Sequence, residues 1–261
     1  MARAVTGVSP GTPTDRLSDV VLGPVRGHHA FEGCVEQLAT AIRLGVFPTG
    51  SVLPPERDLA DRLGVSRATL REAMAALREA EMVVTTRGRG GGTVVAYEPV
   101  APAYAEDETR GGAGAALAGR REALLDCLTF RRVVEPGASG TAAGRTLSAA
   151  EKMLLTTVLQ EVDQALARGG PAAHRQADSR LHLALASVTG SDRIIRAVTD
   201  VQGCLHEMLQ LIPVLPVNIE HSTAQHHAIV DAVLAGSPGR ARQAMERHCD
   251  DTAALLRGLL D

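Results

Sequence analysis

"GVSRATLREAM", Gly64 to Met74, is the stretch on which the reading of the fold turns. Gly64 stops one helix, since glycine alone enters the left-handed region at no steric cost. Ser66 then stands where an N-cap accepts from a free backbone N–H of the next helix. Leu70, Ala73 and Leu77 follow at helical spacing and turn inward. Arg67 and Arg71, four residues apart, lie beside that stripe but outside it, and stay in solvent.

Working outward, Val35, Leu38, Ala39 and Ile42 pattern an earlier helix that "GVFPTG" interrupts. "PPERDLADRL" fits a short second helix with proline in its first turn and Leu59 and Leu63 one turn apart. The third helix, opened by Ser66, is expected to end near Glu81. After it, "MVVTTRGRGGGTVVA" places two β-branched segments around a glycine-rich tip, the pattern of a hairpin. Three helices and a hairpin make a winged helix-turn-helix. Its positive residues sit on three elements: Arg57 on the second helix, Arg67 and Arg71 on the third, Arg87 and Arg89 on the tip. A capped helix start carrying arginine attracts phosphate, and arginine reads guanine in the major groove. Thr69 is placed for a phosphate or thymine-methyl contact.

Composition bounds the rest. The 261 residues carry a formal net charge of -3, with 45% hydrophobic and 22% charged residues, which suits a soluble cytosolic protein of one large or two smaller domains. No apolar run approaches the ~20 residues of a membrane span. Aromatic residues are 2% with no tryptophan, which argues against stacking platforms for single-stranded nucleic acid. Lys152 is the only lysine, so an arginine counts as evidence only through its placement. Cys34, Cys127, Cys204 and Cys249 form no C-x-x-C pair and are expected to be reduced thiols.

The chain is expected to divide into a flexible arm (1–29), the winged helix-turn-helix (30–97), a linker rich in proline, glycine and acidic residues (98–119), and an antiparallel all-helical bundle (120–261). About six helices are expected in the bundle. Ser148 with Glu151 reads as a capping box, and Ser191 and Ser237 as further caps. Polar residues fall on core-facing stripes there. Asp178 and His182 are one turn apart beside Leu181 and Leu185, His226 precedes Ile229, Val230 and Val233, and His248 lies on a stripe with Met245 and Thr252. Burying four such groups without a shared partner is costly, which points to a divalent metal: zinc foremost, with nickel, manganese or iron also suited. His174, His206, His221 and His227 read as surface or outer groups.

The run "GVFPTGSVLPPERDLADRLGVSRATLREAMAALREAEMVVTTRGRGGGTVV" resembles the DNA-binding domain of the GntR family of bacterial transcription regulators. That resemblance implies DNA contacts from Arg57, Ser66, Arg67, Thr69, Arg71, Arg87, Gly88 and Arg89. Pro55 stands where the family more often has serine, so a side-chain cap on the second helix is lost. "D-x-x-x-H", "HHAIVDAV" and "AMERH" are similar to the FCD ligand-binding domain of the FadR-like branch. This implies a metal held by Asp178, His182, His226 and His248, and a small carboxylate effector facing Arg131. The alternative for Arg131 is an exposed salt bridge to Glu135 at i+4, with Arg132 serving the pocket equally well. A homodimeric regulator on a palindromic operator, a repressor by preference, is the function implied. A metal-dependent hydrolase using the same cluster and a purely structural metal are the alternatives.

Overall fold

A computed structural model describes residues 13–25, 30–86, 92–98, 120–209 and 216–258. Among these, the N-terminal half carries α1 (Pro13–Val21), α2 (Ala30–Arg43), α3 (Glu56–Leu63) and α4 (Arg67–Glu79), followed by β1 (Val83–Thr85) and β2 (Thr93–Val95). Gly64 closes α3 at φ 64 and ψ 29. Ser66, in extended conformation, opens α4 and accepts from the Thr69 N–H at 3.1 Å. A Cβ on Gly64 would also press on Pro24 at 3.3 Å, so both backbone and space ask for glycine. Pro55 gives α3 no side-chain cap. Leu38 and Ile42 of α2, Leu59 and Leu63 of α3, and Leu70, Ala73, Met74 and Leu77 of α4 are buried together. The strands pair antiparallel with buried Val83 opposite buried Val95, and Val52 bridges to Val94. This is a winged helix-turn-helix.

The expected flexible arm is corrected over residues 13–25, where α1 forms and buries Leu17 and Ser18. Arg62 of α3 donates to the Ser18 hydroxyl at 2.7 Å and pairs with Asp19 at 2.8 Å. Leu17, Val20 and Val21 pack against the main core. A helix this short is marginal alone, and its tertiary contacts hold it.

The bundle contains α5 (Arg121–Ala143), α6 (Ala149–Ser187), α7 (Asp192–Leu209), α8 (Pro216–Leu234) and α9 (Pro238–Gly258). Gly170, at φ 70 and ψ -165, breaks α6 in two, which makes six helical segments of these five spans. Ser148 and Glu151 cap each other reciprocally at 2.7 and 3.2 Å, and Ser191 accepts from the Ile194 N–H at 3.4 Å. α5 packs on α9 and α7, and α9 packs on α8. Cys34, Cys127 and Cys249 are buried, and all four cysteines are free thiols. No helix among the described residues is long and apolar enough to cross a membrane.

The two halves touch where α2 ends. Gln176 of α6 donates its side-chain amide to the carbonyls of Ile42 and Arg43, both at 3.2 Å. Gly45, at φ 72, lets that contact close, because a Cβ there would lie 3.1 Å from Gln176 and 3.2 Å from Arg180. Further along, Tyr97 brings its hydroxyl within 3.5 Å of His206 Nε2 on α7.

Candidate functional site: a nucleic-acid face and a buried histidine cluster

The helix-turn-helix leaves its arginines outside. Arg57 is 69% exposed and Arg71 70% exposed, and each has an acidic neighbour at 3.2 Å: Asp58 for Arg57, Glu56 for Arg71. Pairs this exposed contribute about 0–1 kcal/mol, so a phosphate competes with them easily. The Arg71–Glu56 contact also brings the start of α3 and the first turns of α4 to one side. Arg67 is exposed, and Thr69 is half-buried with its hydroxyl 2.9 Å from that of Ser66. Arg87, Gly88 and Arg89 lie outside the described residues.

In the bundle, α6 supplies Asp178 and His182, α8 supplies His226 and α9 supplies His248. One donor atom from each lies within 4.8 Å of the others. The imidazole centroids are 4.6 to 5.5 Å apart. All three histidines are buried, while Asp178 keeps 23% of its side chain open. His182 and His226 at both ring nitrogens, and His248 at Nε2, lack hydrogen-bond partners. His226 Nε2 lies 3.2 Å from Asp178 Oδ1, but too obliquely for a hydrogen bond. Burial pushes the His226 imidazole down to about 4 against the pull of Asp178, and pushes His248 well below its ordinary value. These rings are therefore neutral near pH 7, with lone pairs free. Buried unpartnered nitrogens converging with one carboxylate fit a divalent cation, which needs neutral imidazole and ionised carboxylate.

Two further groups orient those rings. Glu135 of α5 is buried, accepts from Arg131 Nε at 2.8 Å and from the Gln202 amide at 2.6 Å, and lies 3.1 Å from His182 Nδ1. Burial alone would raise its carboxyl; Arg131 and then His182 outweigh this and hold it well below the usual range. His248 Nδ1 meets the Gln225 carbonyl at 3.0 Å, which fixes Nδ1 as the protonated nitrogen and leaves Nε2 as the donor atom. Sequence reasoning missed Gln202 and Gln225 and gave Glu135 only an exposed role. Neither glutamine stands in a motif, and their work shows only once the helices are packed.

The Arg131–Glu135 pair exists, but it is buried at 2% exposure on both sides, which corrects the exposed alternative. Arg132 instead pairs at the surface with Asp250 at 2.6 Å and Glu246 at 3.3 Å. Arg131 keeps Nη1 without a partner and faces a cavity of about 180 Å³ that also reaches Asp178 and His248. That volume suits a small acid and falls below the roughly 300–1,000 Å³ of drug-sized pockets. His174 and His206 are buried and line the cavity; His221, exposed, also lines it and meets Asp251, while His227 is exposed and meets Asp163.

Comparison with known proteins decides the family. The sequence profile of bacterial regulatory proteins of the gntR family matches residues 32–95, and that of the FCD domain matches residues 126–251. The HTH-type transcriptional regulator RmpR of Mycobacterium gastri is 34% identical over 224 residues, covering 83% of this chain and 76% of that one. The chain belongs to the GntR family. Its members are DNA-binding transcription regulators, and the FCD domain places this one among those with a helical C-terminal half. A protein of Escherichia coli named for regulating the L-lactate dehydrogenase operon is 32% identical over 203 residues, covering 76% of this chain and 75% of that one. Among solved structures, E. coli McbR/YncC shares the fold, with a TM-score of 0.51 at 16% identity over 90% of this chain and all of that one.

Proposed function

We propose that this regulator is a cytoplasmic homodimeric repressor whose grip on a palindromic operator is set by a small carboxylate bound in the bundle. Arg57, Ser66, Arg67, Thr69 and Arg71, with the wing residues Arg87, Gly88 and Arg89, hold the duplex. Arginines on the exposed start of a capped helix support this, since phosphate and the helix dipole favour each other there. Asp178, His182, His226 and His248 hold a divalent ion, zinc foremost. Such an ion supplies a Lewis-acidic anchor for a carboxylate. Arg131, steadied by Glu135, offers Nη1 to the same acid, and a guanidinium gives a carboxylate a directed second contact.

The observation that carries the reading is the set of buried, unpartnered imidazole nitrogens around Asp178 at the wall of a small cavity. The test is to measure metal content of the purified protein, then titrate a duplex selected by the protein from a random pool, with and without small carboxylates. Bound zinc and a carboxylate-dependent shift in duplex affinity are expected. Protein that binds no divalent metal after purification and loading, or a duplex affinity indifferent to every acid tried, would refute it.

A further inference from the structure

Two of the four cysteines meet between helices. Cys127 of α5 and Cys204 of α7 pack in one small apolar cluster with Leu124, Val201, Leu205 and Leu256. Cys127 Sγ lies 3.9 Å from the Val201 carbonyl, and Cys204 stands three residues further along α7, one turn on and on the same face. The Cys127 thiol also reaches the Cys204 sulfur as a hydrogen-bond donor. That contact raises the Cys127 thiol, and it lowers Cys204 against burial and the nearby carboxylates of Glu207 and Asp126. Cys127 is buried and Cys204 only half-buried, so one sulfur meets solvent and the other waits behind it. Cys34 and Cys249 differ, since burial pushes them up to about 11 and about 12. A partly exposed, more acidic thiol beside a second thiol is the arrangement in which a sulfenic acid is captured as a disulfide.

We propose that Cys127 and Cys204 are a peroxide-responsive thiol pair that closes to a disulfide between α5 and α7. The Cys204 thiolate attacks one oxygen of hydrogen peroxide and the O–O bond breaks. Cys204 becomes a sulfenic acid, and the departing hydroxide takes up the proton that Cys204 gave to solvent. The Cys127 sulfur then attacks that of Cys204; the S–O bond breaks, and the second hydroxide leaves with the Cys127 proton. Two thiols and one peroxide thus give one disulfide and two waters, the sulfurs losing the two electrons that the peroxide gains. A pair that stays reduced until an oxidant arrives is the usual form of such a disulfide in a reducing compartment. The link joins the helix that carries Arg131 and Glu135, four and eight residues beyond Cys127, to the helix that carries Gln202, whose amide donates to Glu135 at 2.6 Å. It therefore locks together two helices that line the cavity. This goes beyond the regulator reading and depends on neither an acid nor a metal.

The test is to expose the folded, full-length protein to a small molar excess of hydrogen peroxide, block the remaining thiols with N-ethylmaleimide, and map cross-linked peptides by mass spectrometry without reductant. Loss of two of the four thiols, a peptide joining Cys127 to Cys204, and reversal by dithiothreitol are expected. Hydrogen exchange along α7 should slow in the oxidised protein. Cys204→Ser should leave Cys127 unoxidised, whereas Cys127→Ser should stop at a Cys204 sulfenic acid that dimedone traps. The wild-type peptide map decides even where a variant fails to fold. Survival of all four thiols overturns the proposal, as does a link to Cys34 or Cys249, a link between two chains, or a Cys204 sulfinic acid with Cys127 still free.

Discussion

Replacing Glu135 by glutamine tests how the histidine cluster is held. The carboxylate accepts from Arg131 at 2.8 Å and from Gln202 at 2.6 Å, takes a weak contact from the Cys249 thiol at 3.7 Å, and lies 3.1 Å from His182 Nδ1. Glutamine keeps the shape but removes the charge and presents an NH2 group to donors. Arg131, only 2% exposed, is then a buried cation without its ion-pair partner. Breaking one side of a buried pair costs about 3–5 kcal/mol. Spread over a bundle of this size, that lowers melting by roughly 6–20 °C. The assay is thermal unfolding of chelated wild-type and Glu135→Gln protein, so that metal binding does not contribute. Removing both partners, as in Arg131→Met with Glu135→Leu, should cost far less than either single change, because no charge is stranded. Zinc affinity of Glu135→Gln should also fall about 10- to 100-fold, since His182 loses the group that orients it. A single variant that loses under 1 kcal/mol, or a double variant no better than the single, would show that the pair does not hold the site.

Other expectations follow from the same geometry. Arg67→Ala and Arg71→Ala should each weaken binding to a selected duplex by about 1–3 kcal/mol if they read bases, or reduce the salt slope by about 1 if they meet phosphate; fluorescence anisotropy against salt separates the two. Gln176→Ala should remove two hydrogen bonds at the joint, worth about 1–3 kcal/mol together, and speed hydrogen exchange at the C-terminal end of α2 while zinc affinity stays unchanged. Burial tends to raise the Glu151 carboxyl, but the Ser148 N–H and Arg145 hold it below its ordinary value. Its folded-state value is thus lowered, so the stability it adds is present above the unfolded value of about 4.3 and is lost as pH falls through the folded one. Denaturant curves of wild type and Glu151→Gln should therefore differ at pH 7 and converge as pH falls below the folded-state value.

The winged helix-turn-helix was legible because its signals are local. Gly64 and Ser66 act within a few residues, and the apolar spacing of α4 names its own buried face. The convergence of Asp178, His182, His226 and His248 was legible for a related reason, since each lies on a helical stripe whose inward side the leucines and valines mark. What could not be read depends on packing between distant segments. α1 has too few residues to show a period, and only Arg62 and the core make it a helix. Glu135 looked like an ordinary i+4 partner on a solvent face, because spacing within α5 says nothing of α7 and α9 closing over it.

The arrangement of α6 explains why one helix serves both the site and the joint between the halves. Residues two apart on a helix are rotated by about 200°, so Gln176 and Asp178 face nearly opposite ways. One side reaches the carbonyls that end α2, and the other lines the cavity. α2 packs directly on α4, the helix that bears Arg67 and Arg71. A ligand that binds better with α6 in one position must favour the joint that goes with it, and it shifts duplex affinity by no more than that difference in binding. About half a helical turn separates the two residues, so a shift at Asp178 cannot be absorbed before Gln176. On the proposed effector reading, Gln176→Ala is therefore expected to leave acid binding intact and duplex affinity unresponsive to it.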